Sequence, residues 1–92
     1  MVFRIFLANA TADEVAQIGQ SMGVAGTVST ATGFGPWGIE STVVVEIGGV
    51  GVEQVNAFVA AIFAAYPAEE AVYVTTAAGT TGEVWWRDGR VE

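Results

Sequence analysis

The chain contains no cysteine, no histidine and no lysine. Without cysteine there are no disulfides, no thiolate metal ligands and no thiol nucleophile. Without histidine there is no imidazole ligand and no Ser-His triad, and without lysine there is no Schiff base. No metal site and no cofactor are expected. The basic groups are Arg4, Arg87, Arg90 and the N-terminal amine, against ten carboxylates and a net charge of −7. Such a balance does not neutralise a run of phosphates, so nucleic acid is not an expected partner.

Long apolar runs are also lacking. The longest apolar helical stretch, residues 55–66, is interrupted by Asn56 and stops at Pro67, too short to span a bilayer. No N-terminal signal pattern precedes it. No membrane partner is expected, and the expected location is the cytoplasm, or a host's cytoplasm if the chain is phage-encoded. Abundant Ala, Gly, Val and Thr beside missing Lys suggests a GC-rich coding background.

What is present is apolar: 52% of the 92 residues are hydrophobic. That length suits one domain spanning residues 1–92. A domain so small buries a limited share of its surface, so part of this apolar content is expected to face another subunit.

The pattern predicts β-α-β-β-α-β with a terminal β extension. Phe3, Ile5 and Leu7 alternate with Val2, Arg4 and Phe6 in a first strand. Thr11 precedes Asp13 and Glu14 at capping-box spacing, opening a helix with Val15, Ile18, Gly19 and Met22 on one face and Gly23 at its end. A second strand is expected over residues 24–32, with a kink or bulge at Gly26. A glycine-rich loop with Phe34, Pro36 and Trp37 leads into the clearest strand. There Ile39, Ser41, Val43, Val45 and Ile47 share one face and Glu40, Thr42, Val44 and Glu46 the other. A second helix over residues 52–66 carries Val52, Val55, Val59, Ile62 and Tyr66 as its core stripe, and Pro67 ends it. A strand over 71–76, a small-residue turn over 77–82 and a type I′ hairpin at Asp88-Gly89 follow. The order is that of a ferredoxin-like α+β fold, an antiparallel sheet with two helices on one face. Its other face would expose some of Val2, Phe6, Val44, Tyr73 and one of Trp85 and Trp86. A second subunit is the simplest cover, so a homo-oligomer, dimer or trimer, is expected.

Gly33-x-Gly35-x-x-Gly38 matches a dinucleotide fingerprint in spacing, but a strand follows it, so no helix N-terminus receives a pyrophosphate. The candidate binding residues are Phe34, Trp37 and Glu40 on the loop, and Trp86 with Arg87 and Arg90 as an aromatic-cationic cradle. Glu69 and Glu70 read as solvated. No catalytic residue is nominated.

The segment of Trp37 and Glu40 leading into residues 43–47, the Tyr66-Pro67-x-Glu69 stretch before Val72 and the tryptophan-bearing terminus resemble, in order and over about the same length, the trimeric ferredoxin-like proteins of the PII and CutA group. The resemblance implies a trimer with small-ligand clefts between subunits. It carries over neither metal nor PII-type nucleotide binding, because the cysteine and basic residues usual there are missing. The function expected is a non-enzymatic, oligomeric binder of a small, nucleotide-like ligand or of a protein partner, as a phage or actinobacterial accessory protein. The alternative is a small, dimeric, cofactor-free enzyme, a monooxygenase or isomerase, acting on an apolar aromatic substrate between sheet and helices.

Overall fold

The computed structural model describes residues 2–36, 38–76 and 82–92. The elements are β1 (Val2–Leu7), α1 (Ala12–Ser21), β2 (Gly26–Gly35), β3 (Gly38–Gly48), α2 (Val52–Ala65), β4 (Ala71–Thr76) and β5 (Gly82–Trp86). The sheet order is β2-β3-β1-β4-β5, and every neighbouring pair is antiparallel. The helix α1 carries the chain from β1 to β2, with β3 between them in the sheet, and α2 carries it from β3 to β4, with β1 between them, which gives the ferredoxin-like arrangement. The anticipated small-residue turn at 77–82 lies almost wholly outside the described residues, as does Trp37.

Alternation decides which face is covered. Phe3, Ile5, Leu7, Val43, Val45, Ile47, Val72 and Val74 are buried, and they form one core with Val15 of α1 and Val55, Phe58, Val59 and Ile62 of α2. Two helix expectations need correction. Val52 is exposed and Phe58 takes its place in the stripe, while Met22 is 39% exposed at the end of α1. Val52 opens its helix and Met22 follows the last turn of α1, so both overshoot the sheet they were expected to cover.

Cap geometry also differs from the expectation. Thr11 makes no side-chain cap. Instead its N–H donates to the Tyr66 hydroxyl at 3.3 Å, tying the start of α1 to the end of α2. Gly23 does take the left-handed conformation, φ 73°, and its N–H donates to the Gln20 carbonyl at 3.1 Å.

The glycine-rich segment is mostly strand. β2 runs to Gly35, which pairs with Gly38 at the start of β3. Gly26 makes no bulge, since its register with Ile47 continues unbroken to Gly35. Because β1 pairs with β3 only as far as Val43, residues 31–35 and 38–42 project past the body as a two-stranded arm.

The C-terminal turn is not type I′. Asp88 keeps a negative φ and only Gly89 is left-handed, φ 96°. The Gly89 N–H donates to the Trp86 carbonyl at 3.0 Å, and the Trp86 N–H donates to the Arg90 carbonyl at 2.8 Å. This is a type I turn followed by a glycine bulge, the three-residue loop of hairpins. The chain then returns along β5, where Val84 and Glu92 exchange N–H···O bonds of 2.7 and 2.8 Å.

Candidate functional site: an open-face groove

The face of the sheet away from the helices carries Phe6 from β1, Thr42 and Val44 from β3, Tyr73 from β4, and Val84 and Trp86 from β5. These follow from strand alternation, since Phe6 pairs with both Val44 and Tyr73, and Tyr73 with Val84. Sheet twist makes this face concave. With the base of the arm on one side and residues 68–71 on another, it encloses a groove of about 870 Å³. That volume lies within the range of small-molecule sites. The Phe6 and Tyr73 rings meet at 5.9 Å and 51° on its floor. Tyr73 lies over Gly82, where a Cβ would come within 2.7 Å of its ring.

Trp85 and Trp86 take opposite faces. Trp85 packs on the core, whereas Trp86 lines the groove. Arg90 stacks over the Trp86 indole, 4.6 Å from the ring, and is held by Asp88 at 2.9 Å and Glu92 at 3.3 Å. The Arg90 backbone N–H first, and then its guanidinium, hold the Asp88 carboxyl below its ordinary value. The indole N–H groups of Trp85 and Trp86 are buried without a hydrogen-bond partner among the described residues.

Arg87 does other work. Its guanidinium donates to the carbonyls of Phe63 at 2.7 Å, Tyr66 at 2.6 Å and Glu69 at 2.6 and 2.9 Å. It also lies 4.9 Å from the Phe63 ring. The Phe63 carbonyl belongs to the last turn of α2, and those of Tyr66 and Glu69 to the turn that follows it, so the side chain caps the helix and pins that turn.

Glu69 is not solvated: it is 3% exposed. One carboxylate oxygen accepts the N–H of Ala8 at 3.1 Å and of Asn9 at 2.9 Å. The two peptide groups that follow β1 have no strand partner, and Glu69 satisfies them across 60 residues of sequence. This fixes one corner of the groove, which Ala8, Asn9, Ala68 and Glu70 also line.

Of the sequence-nominated residues, Glu40 and Trp86 border the groove from its own face, Phe34 lies at its edge on the arm but on the opposite face of that strand, and Arg90 joins it through Trp86. Arg87 sits at the helix cap, and Trp37 lies outside the described residues. Phe34 and Ile39 pair across the arm on its helix-side face and are 83% and 80% exposed. Sequence reasoning passed over Val84, which its spacing from Trp86 would have placed on the same face, and Glu69, whose role no local pattern signals. The lining carboxylates are Glu40, Glu69 and Glu70, and no arginine is among the lining residues. Among the described residues no cluster of acidic side chains is suited to a metal ion, and no helix is long and apolar enough to cross a membrane. No protein-family model and no curated protein sequence matches this chain, so what stands is the α+β fold with its β-α-β-β-α-β order.

Proposed function

We propose that this chain is a non-enzymatic binding protein that holds a planar, largely apolar small molecule in the open-face groove and works as a homo-oligomer. The observation that carries this reading is the groove of about 870 Å³, floored by Phe6, Val44, Tyr73, Val84 and Trp86. Aromatic rings at fixed positions offer stacking and area burial, with Thr42 and Asn9 as polar points of orientation. The charge around it favours a neutral or cationic ligand over a nucleotide. Glu40, Glu69 and Glu70 border the space, while Arg90 is already shared by Asp88 and Glu92 and Arg4, on the same face of the sheet, by Glu46. The enzyme alternative calls for a cavity between sheet and helices, and Val55, Phe58 and Ile62 occupy that space as fully buried side chains. A small accessory protein of a phage or actinobacterium fits this reading on size and coding bias.

The test uses a neutral probe, N-phenyl-1-naphthylamine, whose emission rises in apolar sites, beside the anionic anilinonaphthalene sulfonate. The neutral probe should bind at least tenfold more tightly, and Val44→Glu should abolish its binding while circular dichroism stays unchanged. A wild-type protein that binds neither probe, or binding indifferent to both Val44→Glu and Trp86→Ala, would refute the proposal.

A further inference from the structure

We infer that two copies of this chain join edge to edge through antiparallel pairing of their β2 strands, about a two-fold axis near Thr30 and Ala31. The inference concerns a different surface from the groove and does not depend on what the groove holds.

The two edges of the sheet are treated differently. Beyond β5, the returning chain covers the backbone through the paired Val84 and Glu92. Beyond β2 nothing among the described residues does so. That strand is ten residues long, about 33 Å at the rise of an extended chain. Its sequence, G-T-V-S-T-A-T-G-F-G, contains no proline and no charge, and its register with β3 is unbroken by a bulge. Edge strands are ordinarily guarded by lysine, proline, bulges or brevity, and this one has none of these. Every second residue therefore presents N–H and C=O groups outward.

The edge is complementary to itself. β2 carries no charged side chain, so two copies, each of net charge −7, can meet there without setting carboxylates of this strand against one another.

Shape selects the geometry. A two-fold axis perpendicular to the sheet keeps both pairs of helices on the same side and pairs the central residue of β2 with itself. With Thr30 at the axis, Phe34 lies opposite Gly26 of the second copy. With Ala31 at the axis, it lies opposite Val28. Either way the arm of one copy lies along the body of the other on the helix side. There Phe34, 83% exposed, meets Val28 and the exposed Met22 that follows α1. Ile39, paired with Phe34, follows it. Three of the large apolar side chains left exposed in one copy are thereby brought to one seam. An isolated two-stranded arm is marginal in water, and the second copy's strand would make it part of a larger sheet.

Because the chain has no cysteine, a single introduced thiol reports the pairing. Sedimentation at about 100 μM should give twice the 9.5 kDa of one chain. Paired Cα atoms about 4.5–5.5 Å apart permit a disulfide. Either Thr30→Cys or Ala31→Cys should therefore cross-link on mild oxidation, and Glu83→Cys on the opposite edge should not. Met22→Glu should weaken the dimer at least tenfold while retaining neutral-probe binding, and Val44→Glu should lose the probe while retaining the dimer. A monomer at that concentration, a trimeric mass, or cross-linking of Glu83→Cys but of neither β2 variant would overturn the inference.

Discussion

Arg87 shows how one side chain can be recruited away from the role its neighbours suggest. Beside two tryptophans in sequence it reads as part of a ligand cradle, yet its guanidinium meets three carbonyl groups around the end of α2. Hydrogen bonds from a charged donor contribute more than neutral ones, and the planar fork reaches several acceptors at once. Arg87→Ala should lower stability by about 2 kcal/mol in urea denaturation. Arg87→Lys, with a single ammonium, should recover only part of that loss. Equal stability of all three proteins would remove the capping role. Glu69 follows the same logic with opposite charge: two N–H groups after β1 need an acceptor, and a carboxylate from a distant loop supplies it. Neither role was legible in the sequence, because each depends on backbone groups brought together by the fold.

At the scale of elements, β3 was the most legible. Its alternation specified which side chains face the core, and Val43, Val45 and Ile47 are indeed buried. The end of β2 was not legible, because three glycines within six residues resemble a loop. They extend as strand because β3 offers a partner along its whole length. The space at Gly33 is already taken: a Cβ there would lie 2.6 Å from the Thr42 hydroxyl oxygen. Gly82 is a comparable case beneath the Tyr73 ring of the groove floor. A Cβ at that position would lie 2.6 Å from Thr75 Cγ2, 2.7 Å from the Tyr73 ring and 2.7 Å from the Val74 carbonyl oxygen. The carbonyl belongs to the ladder and yields little, so Gly82→Ala should cost about 1–3 kcal/mol. It should also push Tyr73 off the groove floor. Thermal unfolding combined with neutral-probe titration checks both effects, and a variant that melts and binds like the parent would contradict them.

At the scale of the molecule, charge and apolar content oppose each other. Ten carboxylates against three arginines make copies repel, while the uncovered sheet face, the bare β2 edge and the arm favour contact. The Debye length falls from about 30 Å at 0.01 M salt to about 10 Å at 0.1 M. Association through an uncharged seam should therefore tighten several-fold over that range. Sedimentation equilibrium at the two salt concentrations reads this directly, and weakening with salt would point to ion pairs as the adhesive instead.

The sequence by itself determined the order of elements, the alternating faces of β1 and β3 and the chemistries that missing Cys, His and Lys exclude. Those follow from local periodicity and from side-chain inventory. Only the tertiary structure decided that the open face is a concave aromatic groove, that Arg87 and Glu69 serve backbone groups, and that β2 is a bare edge while β5 is covered. Each of these depends on strand order and twist, which bring together residues 60 and more positions apart and which no local pattern encodes.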